Sequence, residues 1–303
     1  MTVVAVRNLV KDYGSSRAVD GISFEIESGE VYGLLGENGA GKSTTVEILE
    51  GHRERTAGDL TVLGEDPGSA SRAFRDRIGI VLQTSGVEPV LTVHELVTLY
   101  AGCYRQARAV DECIGLVGLD DSADKRVAEL SGGQRRRLDL ALGIVGYPEL
   151  LFLDEPTTGF DPAARRNAWE LIRSLCSDGT TVLLTSHYLD EVEHLADRVG
   201  VLRRGRLVAE GTPDSLAAAA GVTTIRFQVP AGSEPEDIAT MLRSDIGHRD
   251  GNVELSTRTP TATLHALTGW ATARGVELPG LSVTRPSLED MFLTLTSDAE
   301  AVE

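Results

Sequence analysis

Three clusters of residues in this chain have the types and spacing to act on a phosphate ester. Gly36-Glu37-Asn38-Gly39-Ala40-Gly41-Lys42-Ser43, followed by Thr44 and Thr45, is a glycine-rich run that ends in a lysine and a hydroxyl. Successive backbone N–H groups of such a loop, together with the N-terminus of the helix it opens, make a concave positive site for phosphates. Lys42 adds a flexible point charge for the β- and γ-phosphates, and the Ser43 hydroxyl suits a Mg²⁺ ion. Gly36, Asn38, Gly39, Ala40, Gly41, Lys42, Ser43 and Thr44 are therefore the candidate wall of a nucleoside triphosphate site. The second cluster is Asp154-Glu155, delivered by the apolar run Leu150–Leu153. Asp154 can hold the metal shell beside the phosphates, and Glu155 can orient and polarise an attacking water. Two acids after a buried strand favour hydrolysis over transfer to a substrate, and the lack of an NKxD motif argues against GTP.

The third cluster, Leu130-Ser131-Gly132-Gly133-Gln134, is another glycine-containing turn before a helix. The Ser131 hydroxyl, two glycine N–H groups and the helix dipole make a second oxyanion site. One nucleotide rarely needs two cradles in one chain. The economical solution is that this one closes over ATP held by another copy.

Each cluster needs an element to position it. VYGLLG (31–36) is a continuous apolar run of buried-strand length ending in glycine, and a helix is predicted from Lys42 to about Glu50. Residues 3–9 and 21–27 alternate as exposed strands do, 149–155 and 180–187 read as buried strands, and 199–211 reads as a hairpin turning near Gly205. Residues 92–147 read mainly as helix. This order predicts an α/β core with a helical subdomain at about 88–147. The composition changes at the alanine run 217–220, so the expected domains are 1–220 and a small α+β accessory domain, 221–303.

The three clusters in this order resemble the ATP-binding-cassette (ABC) family, whose signature is LSGGQ. The resemblance covers about residues 3–215 and implies a P-loop NTPase core with an antiparallel β subdomain and a helical subdomain, binding ATP and Mg²⁺. It implies that Ser131, Gly132, Gly133 and Gln134 reach the γ-phosphate across a head-to-tail dimer of two copies. By the same resemblance Tyr13 stacks on adenine, Gln83 touches the metal or its water, Asp161 lies in the D-loop beside Phe160, where leucine is commoner, and His187 contacts the γ-phosphate. The implied catalytic residues are Glu155, His187 and Lys42, and the implied metal contacts are Ser43, Gln83 and Asp154.

Composition narrows the partners. The formal charge of −17 repels nucleic acid and anionic headgroups, so a membrane role requires a protein partner. No apolar run approaches the ~20 residues of a membrane-spanning helix, and the start lacks the plan of a secretory signal. The expectation is a cytoplasmic protein held at the inner membrane face by an integral-membrane permease on a separate chain. Three cysteines sit at no metal-ligand spacing and are expected to be buried or half-buried free thiols. The stretch between Lys42 and Ser131 has no room for the long coiled coil of DNA-processing relatives. A single cassette disfavours the alternative of a permease-independent regulatory or translation-linked ATPase. RPSLEDMFLTLT (285–296) resembles the tail of daunorubicin-resistance-type export ATPases, which implies an ABC-2-type permease and, by analogy, drug or antibiotic export.

Overall fold

A computed structural model describes residues 1–69, 71–82, 86–220, 223–230, 232–242, 246–249, 252–284 and 287–297. The chain divides into two compact units, Met1–Pro213 and Asp214–Glu303. The larger unit runs β1 (Thr2–Tyr13), β2 (Ser16–Glu27), β3 (Val31–Gly36), α1 (Lys42–Leu49), β4 (Ala57–Val62), α2 (Arg72–Arg75), β5 (Ile78–Val81) and α3 (Val93–Ala101). It continues through α4 (Val110–Leu116), α5 (Gly132–Ile144), β6 (Leu150–Asp154), α6 (Pro162–Ser177), β7 (Thr181–Thr185), α7 (Leu189–Leu195), β8 (Arg198–Arg203) and β9 (Arg206–Gly211).

Six of these strands form one sheet in the order β5-β6-β7-β3-β8-β9, parallel except for the β8–β9 hairpin. β3 and β7 are buried along their whole length. That is why their sequences are continuous apolar runs rather than alternating ones: a parallel sheet is covered on both faces. The hairpin turns at Arg204-Gly205, both left-handed at φ 47° and 79°, as a tight connection between twisted antiparallel strands requires.

A second, antiparallel sheet has the order β2-β1-β4. Its strands are longer than the predicted segments 3–9 and 21–27, because register shifts between Val6 and Leu9 let β1 continue past Asn8 (φ 50°) to Tyr13. One apolar cluster packs this sheet against α1 and the central strands, with Val4, Ile22, Tyr32, Ile48, Phe74 and Phe152 among its buried members. Each such side chain contributes about 1.5–3 kcal/mol relative to exposure.

The region predicted as mainly helical holds α3, α4 and α5, interrupted at Gly102 and at Gly118, whose φ is 64°. α3 is fixed at its start by a capping box: the Thr92 hydroxyl accepts from the Glu95 N–H (3.1 Å), and the Glu95 carboxylate accepts from the Thr92 N–H (2.9 Å). Cys113 is buried and Cys176 half-buried, but Cys103 is exposed, contrary to expectation. It sits in the turn after α3, where the chain has left the helix and no element covers it.

The smaller unit holds α8 (Pro213–Ala220), β10 (Thr223–Gln228), α9 (Pro235–Leu242), β11 (Gly247–Arg249), β12 (Asn252–Thr257), α10 (Pro260–Arg274), β13 (Ser282–Thr284) and α11 (Leu288–Ser297). Its sheet is antiparallel, in the order β11-β12-β10-β13. Alternation in β10 and β12 sends Ile225, Phe227, Val253 and Leu255 into a core with Ile238 and Leu267. Arg226 and Glu254 pair at 2.7 Å, directly opposite each other in register. Among the described residues, no helix is long and apolar enough to cross a membrane.

Candidate functional site

β3 delivers its last residue, Gly36, hard against β8: a Cβ there would lie 2.5 Å from the Leu202 carbonyl oxygen. The loop that follows leaves Glu37, Asn38, Gly39 and Ser43 exposed, Lys42 and Thr44 half-buried, and Ala40 buried. Gly41 takes the N-cap position of α1 at φ 105°, where a Cβ would meet the Ala18 carbonyl oxygen at 2.5 Å. Only glycine fits, and it offers no side chain to the helix. The first N–H groups of α1 therefore have no capping side chain, the arrangement that receives an anion. Lys42 folds over its own loop, its Nζ donating to the carbonyls of Gly36 (2.6 Å) and Glu37 (3.0 Å). Burial holds its pKa below the ordinary lysine value, although Glu155 and Asp154 oppose that shift.

β6 and β7 run parallel and end together, which sets the two acids beside His187. Thr185 donates its hydroxyl hydrogen to Asp154 Oδ1. Glu155 turns the chain away from the strand at φ 49°, a left-handed conformation that costs a non-glycine residue about 1–3 kcal/mol. Its N–H donates to the Thr185 carbonyl at 3.0 Å. Its carboxylate lies 2.7 Å from His187 Nε2 through Oε1 and accepts from the Thr158 hydroxyl at 3.2 Å through Oε2. The acid is thus held on both sides, its side chain 13% exposed and that of His187 45% exposed. Such a carboxylate can hold a water and take up its proton. Asp154 and Ser43 present oxygen donors only, the set that suits Mg²⁺, which takes one or two protein ligands and keeps several waters. Gln83, the third expected metal contact, lies outside the described residues.

Ser131 caps α5 in a capping box of its own. Its hydroxyl oxygen accepts from the Gln134 N–H (3.3 Å), while the Gln134 side-chain oxygen accepts from the Ser131 N–H (2.9 Å). The cap uses the hydroxyl only as an acceptor, so its hydrogen remains available to an outside oxyanion. Ser131 and Gly132 are exposed, Gly133 and Gln134 half-buried. Tyr13, at the end of β1, is exposed, with Lys11 Nζ and the Arg53 guanidinium 5.1 and 5.4 Å from its ring centre. Asp161 caps α6: Oδ1 accepts from the N–H groups of Ala163 and Ala164, both at 2.9 Å, and these bonds hold its pKa below the usual carboxylate range. That oxygen serves its own helix.

Two groups of residues at this site were not singled out by their sequence. The first is Arg136, nearly buried in α5, whose guanidinium donates to four backbone carbonyls: Pro156 (3.2 Å), Glu155 (2.7 Å), Asp154 and Leu82. In the sequence it is the middle one of three consecutive arginines, Arg135–Arg137, and nothing local sets it apart from its neighbours. The second centres on Glu191 of α7, which is 0% exposed. It accepts from Thr157 Oγ1 (2.7 Å), from Trp169 Nε1 (3.2 Å) and from the Ser186 hydroxyl. Thr157 follows the Glu155 turn and Ser186 precedes His187, so one carboxylate ties together the loops that carry Glu155 and His187.

Residues 19–158 match the model of the ABC transporter family, and 223–287 that of the C-terminal domain of ABC transporter domain-containing proteins. The chain is 39% identical to the daunorubicin/doxorubicin resistance ATP-binding protein of Streptomyces peucetius, over 97% of this chain and 92% of that one. It is 40% identical to the Nod factor export ATP-binding protein I of Rhizobium sp. (strain N33), covering 94% of each chain. It is 36% identical to the linearmycin resistance ATP-binding protein of Bacillus subtilis (strain 168), covering 97% and 98%. Among solved structures, an ATP-binding subunit of an ABC transporter superposes with a TM-score of 0.67 at 26% identity, covering 72% of this chain and 92% of that one. An ATP-binding cassette solved as a dimer with ADP and phosphate gives a TM-score of 0.64 at 26% identity, covering 69% and 98%.

Proposed function

This chain belongs to the ABC transporter family as an ATP-binding and ATP-hydrolysing subunit, and on that premise we propose that two copies enclose ATP between them to drive a separate membrane permease. The observation that carries the reading is the exposed Ser131 cap, a second oxyanion site whose hydroxyl hydrogen its own helix does not use. The dimeric ADP- and phosphate-bound cassette of the same fold supports it.

In this reading the N–H groups of Gly36–Thr44 hold the phosphates, and Lys42 leaves the Gly36 and Glu37 carbonyls to face them. Tyr13 stacks on the adenine. Ser131, Gly132, Gly133 and Gln134 of the other copy close the site, with Asp161 at the neighbouring helix start. Glu155 aligns a water and takes its proton, while His187 Nε2 holds Glu155 Oε1 in place and faces the transferring phosphoryl group. Ser43, Asp154 and Gln83 would hold Mg²⁺, which when bound neutralises charge that develops on the phosphate oxygens.

The permease is of the ABC-2 type and holds this chain at the cytoplasmic face of the membrane. For its cargo, a drug or antibiotic is supported by the resistance ATP-binding proteins of Streptomyces and Bacillus, and a lipid, polysaccharide or other small molecule by the Nod factor export protein that matches equally well; transport assays with the native permease decide between them. The smaller unit, from about residue 214 or 221 onward, supports the dimer or permease docking.

Glu155→Gln tests the shared site. The variant should bind ATP, hydrolyse it at least about 100-fold more slowly, and elute as a dimer only when ATP is present. Full turnover, or a monomer under ATP, would refute the reading. Co-purification of a hydrophobic permease tests the transport role.

A further inference from the structure

We propose that Arg136 is the positioning residue through which each ATP site senses the other; this rests on the shared-site reading above. α5 carries two things within its first turns. Ser131 and Gly132, at its N-terminus, are exposed, with Gly133 and Gln134 half-buried behind them, and in that reading the four cover the partner's phosphates. Arg136, two residues further on, faces inward with its side chain 7% exposed. Its guanidinium donates to the carbonyls of Asp154, Glu155 and Pro156, the backbone of the turn that aims the catalytic carboxylate. It also donates to the Leu82 carbonyl, the peptide oxygen immediately before Gln83.

The chemistry of this contact is specific to arginine. Four carbonyls from two strand ends converge on one planar group, and only a fork with donors spread over its edge can satisfy them together. Its hydrogen-bond acceptors in this turn are main-chain oxygens, with the Asp139 carboxylate of its own helix 3.9 Å away as a counter-charge, so the contact reports where the backbone of the Glu155 turn lies. That turn stands in a left-handed conformation at φ 49°, which its surroundings must enforce. Arg136 and the Glu191 cluster are part of those surroundings, beside the Thr185 carbonyl, the Thr158 hydroxyl and His187. A helix is stiff over two residues, so a shift of the Ser131 cap onto the partner's nucleotide moves the Arg136 fork, and the fork moves the Glu155 carbonyl. Closure over one triphosphate thereby sets the base at the other.

The test compares the wild type with Arg136→Lys, which keeps the charge but not the fork. ATPase rates against ATP concentration give kcat, KM and the Hill coefficient, and dimerisation with ATP is followed in the Glu155→Gln background. Arg136→Lys should lower kcat about 10- to 100-fold and bring a Hill coefficient above 1 down to about 1. KM should stay within about twofold, and the ATP-dependent dimer should persist. Arg136→Gln, with two donors in place of the fork, should fall between, and it serves if the lysine variant does not fold. An Arg136→Lys chain with wild-type kcat and Hill coefficient overturns the proposal, as does one that loses turnover only in proportion to lost ATP binding. A Glu155→Gln chain that stays monomeric with ATP overturns the shared-site reading and this proposal with it; a normal Glu155→Gln dimer beside an unaffected Arg136→Lys overturns the proposal alone.

Discussion

Glu50 closes α1 with a carboxyl that is only 4% exposed, and its environment sets a pH dependence. Burial, with Glu47 and Asp154 adding like charge, pushes its pKa up to about 8, while His52 Nδ1 stands 3.2 Å from Oε2. The unfolded chain ionises near the ordinary glutamate value, so between there and about pH 8 the folded protein binds the extra proton. Stability associated with this group is therefore full at acid pH and is lost as pH rises through about 8. Glu50→Gln, which cannot ionise, should be about 1–3 kcal/mol more stable than wild type at pH 8.5 and indistinguishable near pH 5. Urea melts of the nucleotide-free chain at the two pH values check this, and an equal effect at both would show that the carboxylate is not the cause. The same contrast explains which residues were legible in sequence. Lys42, Ser43, Asp154 and Glu155 stand in local patterns whose spacing alone suggests the chemistry proposed for them. Arg136 meets Leu82 across 54 positions of sequence, and no local pattern encodes that meeting.

At the scale of elements, α7 acts as a brace. Glu191 receives Ser186 from the end of β7, Thr157 from the turn after β6 and Trp169 from α6, all in a buried setting where an unmatched polar group costs about 1–3 kcal/mol. The part of this brace that bears on His187 runs through Ser186, whose oxygen also accepts the Tyr188 N–H at 3.0 Å. Ser186→Ala should therefore lower kcat about tenfold by loosening His187, yet add little once His187 is already alanine, since mutations that act through one group are not additive. Steady-state kinetics of the two single variants and the double variant decide it; independent, multiplying losses would place Ser186 outside the His187 pathway. The strands that carry these loops could be read beforehand, because β3 and β7 are buried runs of the length and apolar continuity a parallel sheet demands. Boundaries were less legible. The β1–β2 hairpin outruns its alternating segments because a bulge near Asn8 restores pairing that alternation alone would have ended. LSGGQ also carries a local instruction that reading it as a phosphate site leaves unstated: Ser131 and Gln134 are a capping box, so the same residues that would touch ATP also start the helix.

At the scale of the whole molecule, each compact unit has a core of its own, and the residues proposed to contact the nucleotide all lie in the first. β3, β6, β7 and α1 are built around Tyr32, Ile48 and Phe152, whereas the second unit closes on Ile225, Phe227, Val253 and Leu255. A ligand that binds one folded unit stabilises that unit by about 2.7 kcal/mol when present at 100 times its dissociation constant. None of the residues expected to contact the nucleotide lies in the second unit, Asp214–Glu303. MgATP added to Glu155→Gln, where it is not consumed, should raise the thermal transition of residues 1–213, and it leaves that of residues 214–303 where it was if the smaller unit serves permease docking rather than the dimer. Calorimetry resolves the two transitions, and limited proteolysis assigns them, since protection should appear within the first unit only. If both transitions rise together, the second unit takes part in closing the nucleotide site, and its role would have to be read from the ATP-bound dimer rather than from docking to a permease.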